Sequence, residues 1–127
     1  MTAVALVLAS IAVLIHVYIF WLEAFAWTKP RGLATFGMGQ DQADASKELA
    51  LNQGFYNLFL AVVAAAGVVT LAMGHTSVGA ALIVAGCGSM VAAGAVLWIS
   101  SPAKARAALV QLTAPALALI ALAIAYL

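Results

Sequence analysis

Across 127 residues the chain carries 67% hydrophobic and only 7% charged side chains, at a mean hydropathy of +1.16. A soluble domain uses about 25% charged residues to cover its surface, so a water-soluble globular fold is excluded and the solvent of this chain is lipid. A formal net charge of +1 excludes the broad basic surface that nucleic-acid binding needs.

The length accommodates four spanning helices of ~20 residues with short connections. The expected fold is therefore all-α, an antiparallel bundle of four transmembrane helices in a single domain. Its helices are expected over about 3–27, 47–73, 78–99 and 107–127, each an apolar run long enough to cross a bilayer. The first run ends in Ala24-Phe25-Ala26, which resembles a signal cleavage site. No Lys or Arg precedes it, however, and it exceeds the usual core of about 7–15 residues, so it reads as a retained helix.

Helix one is aliphatic in its first half and aromatic in its second, and Trp27 is expected at the membrane interface. His16, Phe20, Glu23 and Trp27 share one face, because a spacing of seven returns a side chain to within roughly 20° of its start. An ionisable group at membrane depth normally faces protein or a water-filled cavity, so this face needs a partner. Pro30 stops the helix, and residues 28–46 form a connection long enough to suggest either a solvated linker or a lid over the polar site.

Helix two is expected to start at Ser46 or Lys47, with Ser46 as N-cap. Its first turns hold Asn52-Gln53-Gly54-Phe55-Tyr56-Asn57. Asn52 and Tyr56 form one row, and Gln53 and Asn57 another about 100° away. Helix three carries Gly79, Gly86 and Ala93 at heptad spacing, a pattern that lets backbones approach closely within the bundle or against a second copy. Helix four contains Pro115, expected to kink it, with Gln111 and Thr113 near its start. Thr113 is expected to bond back to its own helix. Cys87, a lone cysteine in a small-residue helix, reads as a packed small side chain.

All five Lys and Arg residues lie in or beside the first and third connections. The positive-inside rule then places those connections in the cytoplasm and both termini outside. Glu23 lies about 6 Å inside the Trp27 end, at the level of Asn52 and Gln53 in helix two. The expected result is a cytoplasm-facing polar pocket that binds a small, partly apolar ligand through His16, Phe20, Glu23, Trp27, Asn52, Gln53, Tyr56 and Asn57. Metal binding is not expected, since His16 and Glu23 are offset by about 10 Å along the helix. No phosphate loop, G-x-S-x-G or H-E-x-x-H occurs, and the residues name neither a cofactor nor a catalytic role. A proton-coupled transporter, a membrane enzyme acting on a lipid-soluble substrate, and an accessory subunit of a larger membrane complex all fit this constellation.

His16…Leu22-Glu23…Trp27 followed by Asn52-Gln53-Gly54-Phe55-Tyr56-Asn57 in a chain of this size resembles an uncharacterised bacterial family. Its members are small four-helix integral membrane proteins classed as a domain of unknown function, with an Asn-Gln-Gly-x-Tyr-Asn run. The resemblance covers nearly the whole chain and implies the fold, without implying an activity.

Overall fold

The computed structural model describes residues 1–126. Four long helices, each apolar enough to cross a membrane, pack into an all-α bundle: α1 (Thr2–Phe25), α3 (Gln40–Ala72), α4 (Thr76–Ser100) and α5 (Ala105–Tyr126). A short helix, α2 (Pro30–Phe36), lies between α1 and α3, and a 3-10 turn, Pro102–Lys104, precedes α5. The long helices form a ring in which α1 touches α3 and α5, and α4 lies diagonally opposite α1. Neighbours run antiparallel: Gly67 of α3 faces Ile83 of α4, whereas Ala64 faces Gly86.

The interior is built from small residues. Buried positions in α1 are Ala5, Ala9, Ala12, His16, Leu22 and Glu23; those in α3 include Ala43, Ala50, Gly54, Ala61 and Ala64. α4 contributes Gly79, Ile83, Gly86, Met90 and Gly94, and α5 contributes Ala108, Pro115, Ala118 and Leu122. These are seams of the coiled-coil kind, with Ala and Gly where a soluble bundle has Leu. Most bulky aliphatics point outward, as Leu14 (69% exposed) and Ile99 (82%) illustrate. In lipid that outer surface costs nothing, and small seams let backbones approach until dispersion contacts hold them. Hydroxyls in the spans bond to the carbonyl four residues back: Ser10 to Leu6, Thr70 to Ala66, Ser89 to Ala85, and Thr113 to Leu109 as expected.

The segment expected as a loop over 28–46 is mostly helical. Pro30 takes the first turn of α2, where its missing N–H costs nothing, and Gly37 ends it with a left-handed φ of 63°. The N–H groups of Gly37 and Met38 both return to the Leu33 carbonyl. α3 begins at Gln40, so Ser46 is not its N-cap; Ser46 Oγ lies inside the helix and donates to the Gln42 carbonyl at 2.8 Å. Helix-forming Ala and Gln residues and a Gln40–Asp44 bond at 3.0 Å extend the helix past the apolar span. At 33 residues it is about 50 Å long, against a hydrocarbon core of about 30 Å, so its charged first turns project beyond the lipid tails. α1 ends at Phe25, which leaves Trp27 in the turn that follows, and α5 runs through Pro115 without a break in helix assignment.

The seam makes a differential test possible. A Cβ on Gly86 would sit 2.8 Å from Ala64 N and 2.9 Å from its Cβ, whereas one on Gly88 meets open space. Gly86→Leu should lower thermal stability in detergent by about 1–3 kcal/mol through overpacking. Gly88→Ala should be neutral or stabilising by up to about 1 kcal/mol, the helix-propensity gain. Equal effects in both variants would show that α4 does not pack through the Gly86 face.

Candidate functional site

The α1 and α3 backbones approach closely beside Glu23. A Cβ on Gly54 would lie 3.1 Å from Glu23 Cβ, 3.1 Å from Ala24 N and 3.2 Å from the Phe20 carbonyl, so only glycine fits there without displacement. One turn deeper, the half-buried Asn57 donates from Nδ2 to Glu23 Oε2 at 2.7 Å and to the Gln53 carbonyl at 3.2 Å. Glu23 is 8% exposed, and among the described residues no fully buried side-chain N or O atom lacks a partner. An interhelical hydrogen bond to a carboxylate is among the stronger kinds, being charge-assisted when the group is ionised.

Beside this pair opens a cavity of about 740 Å³ at the end of the bundle that carries the basic residues. Its wall combines Tyr18, Leu22 and Glu23 of α1 with Gln53 and Asn57 of α3, Leu97 of α4, and Arg106 and Gln111 of α5. α2 closes one side with Ala34, Thr35 and Phe36. The turn that brings α2 back over the bundle is held by four contacts. Gly32 packs directly on the Ala26 and Trp27 carbonyls, leaving no room for a Cβ. The Trp27 ring lies 4.9 Å from that of Phe36 while its Nε1 donates to Ser46 Oγ at 3.0 Å, and Arg31 Nη1 donates to the Tyr18 hydroxyl at 3.2 Å. Trp27 thus ties α1, α2 and α3 together at the cavity rim.

The eight residues singled out from sequence divide into two groups. Glu23, Trp27, Gln53 and Asn57 line the cavity. His16 does not; it is 1% exposed in the α1 seam, with Nδ1–H donating to the Ala12 carbonyl at 2.9 Å. Phe20 lies in an aromatic cluster with Phe25 and Phe55, at ring separations of 5.5 and 5.1 Å. Asn52 and Tyr56 point away from the bundle, Tyr56 being 65% exposed. Helix geometry accounts for this: with Gly54 turned to α1, residues two positions to either side lie about 160° around the helix. Residues not singled out beforehand also line the cavity, among them Thr35, Phe36, Lys104, Arg106 and Gln111. The apolar run Leu33–Met38 was the one signal that could have pointed to Phe36.

Chemically, the wall offers one carboxylate, three amides, two cations and several aromatic faces around an otherwise apolar space. That set can orient an amphipathic molecule by hydrogen bonds and charge. Among the described residues, no three His, Cys, Asp or Glu side chains are grouped so as to hold a metal ion.

A family model described as "Protein of unknown function (DUF1304)" matches residues 10–123 of the chain. No curated protein and no solved structure matches it.

The Glu23–Asn57 bond makes a stability prediction. Asn57→Leu removes the side-chain donor to a buried carboxylate and should cost about 1–3 kcal/mol, read as a lower unfolding temperature in detergent. Replacing both groups, as Glu23→Leu with Asn57→Leu, should recover most of that loss, because neither polar group is then left without its mate. A double variant no more stable than Asn57→Leu alone would show that the pair does not couple α1 to α3.

Proposed function

Because the chain belongs to the family of unknown function DUF1304, whose description assigns no activity, we propose its function from the site. The protein is a multi-pass inner-membrane binding protein that holds a small, partly apolar ligand in a pocket open to the cytoplasm. The observation that carries this reading is the cavity of about 740 Å³, a size typical of small-molecule clefts, beside the Glu23–Asn57 pair. In this reading Glu23 accepts a hydrogen bond from the ligand, Gln53, Asn57 and Gln111 orient its polar part, Ile15, Ile19 and Leu22 line its apolar part, and Trp27 and Phe36 close the rim. His16 serves the reading from the seam, by holding its own helix, rather than by touching the ligand.

Native mass spectrometry of the protein released from lipid nanodiscs tests it. The wild type should retain a small molecule that Glu23→Gln and Gln111→Ala lose, while Asn52→Ala and Tyr56→Phe, on the outer face of α3, keep it. If no preparation carries a ligand and the variants differ only in stability, the polar pair is interhelical glue and the reading fails. A second reading is favoured by those same outward residues: a polar pair on the outer face of a spanning helix suits association with a second copy or a larger membrane complex. It predicts that Asn52→Leu combined with Tyr56→Phe reduces the assembled size in mild detergent.

The cytoplasmic orientation rests on the basic residues, all of which lie at one end of the bundle. With Cys87 replaced by Ala, an impermeant maleimide should label Thr76→Cys on intact cells, and Thr35→Cys only after permeabilisation. The opposite pattern would invert the topology.

A further inference from the structure

The cavity is graded along the membrane normal. On α1 its wall descends from Trp27 through Glu23 and Ile19 to Ile15, in steps of four residues, or about 6 Å each. The Gln53, Asn57 and Gln111 amides stand with Glu23 in the outer part, Tyr18 turns its hydroxyl outward to Arg31, and the inner end is formed by Ile15 and Ile19. At the mouth stand Lys104 and Arg106, which also line an adjoining recess of about 260 Å³ together with Thr35 of α2. Cations outermost, a hydrogen-bonding belt next and a hydrocarbon floor innermost is the order of groups in a lipid turned head-outward.

This order excludes other ligand classes. A nucleotide or sugar would leave polar groups against the Ile15–Ile19 floor without partners. A purely hydrocarbon ligand would strip water from the belt for no return. An organic cation would meet Lys104 and Arg106 on entry. The volume decides between one acyl chain and two: 740 Å³ holds on the order of 25 water-sized units of about 30 Å³, enough for one chain and a small head group. Resting on the ligand-binding reading above, we infer that the pocket takes a single-chain amphiphile with an anionic head. The head lies between Lys104 and Arg106, a hydroxyl or amide group lies at the Glu23–Asn57 level, and the chain runs toward Ile15. Free phosphate shares the head's chemistry but lacks the chain.

The test uses the full-length protein in non-ionic detergent, incubated separately with 1-myristoyl lysophosphatidate, 1-monomyristoylglycerol and inorganic phosphate, with adducts counted by native mass spectrometry. Lysophosphatidate should bind at one per chain, about tenfold better than monomyristoylglycerol, the gain expected of a charge-assisted head-group contact. Lys104→Gln with Arg106→Gln should remove that advantage and leave monomyristoylglycerol binding unchanged, and the unfolding temperature of this variant confirms that it is folded. Equal binding of the two amphiphiles, unaffected by the double variant, overturns the anionic head while the binding pocket stands. Phosphate binding as well as lysophosphatidate overturns the chain. If no amphiphile binds, and the wild type retains a small molecule that Glu23→Gln loses, the binding reading survives and this ligand class is wrong; if nothing is retained either, both fall.

Discussion

Close approach of backbones through Ala and Gly governs this molecule. In lipid the hydrophobic effect does not drive helix against helix, so association depends on contact area and on interhelical hydrogen bonds. Small seams supply the first: Gly79 against Leu71, Gly67 against Ile83 and Gly86 against Ala64 leave no gap along the α3–α4 line. The same arrangement sends Leu, Ile and Val outward, where they meet acyl chains. Large side chains on the outside and small ones within invert the pattern of a soluble bundle, and the inversion follows from the solvent.

Against this background the polar members of the seams stand out. His16 fills a position that Ala holds elsewhere in α1, and its imidazole is quieted by the Ala12 carbonyl of its own helix. Glu23 and Asn57 fill two more, and they satisfy each other across the α1–α3 line at 2.7 Å. Bundle closure loosens around this level: between Ile15 and Trp27 of α1 the helices also line a cavity, and the short helix α2 supplies one of its walls. Structural glue and pocket chemistry are therefore carried by the same carboxylate, which is why stability and ligand retention must be read separately in its variants.

The four spanning helices were legible from sequence because length and apolarity decide them. Counting residues put Glu23 at the level of Asn52 and Gln53, and it is Asn57, one turn further along helix two, that bonds Glu23. Which row of helix two faces α1 was harder. The polar cluster suggested that all its members face inward, yet the row Ala43, Ala50, Gly54 and Ala61 is the one that allows close approach. Small residues marked the interior, and the bulkier Tyr56 turned outward despite its hydroxyl. α2 was missed because seven residues give no usable periodicity, although Pro30 and Gly37 stand at the positions where a helix of that length starts and stops. The first turns of α3 were missed because hydropathy marks the lipid-embedded part of a helix and is blind to the part that projects past it.

The Gly86–Ala64 contact also fixes what the protein can do mechanically. Turning α4 by one residue position would swing Gly86 about 100° away and bring a larger side chain against Ala64, where not even a methyl group fits. That contact opposes rotation of α4 against α3. α2 is held by its contacts with the end of α1 and the turn beyond it. Whatever enters the cavity thus meets walls of two kinds: long helices clasped along their seams, and a seven-residue helix seated on the turn that follows α1.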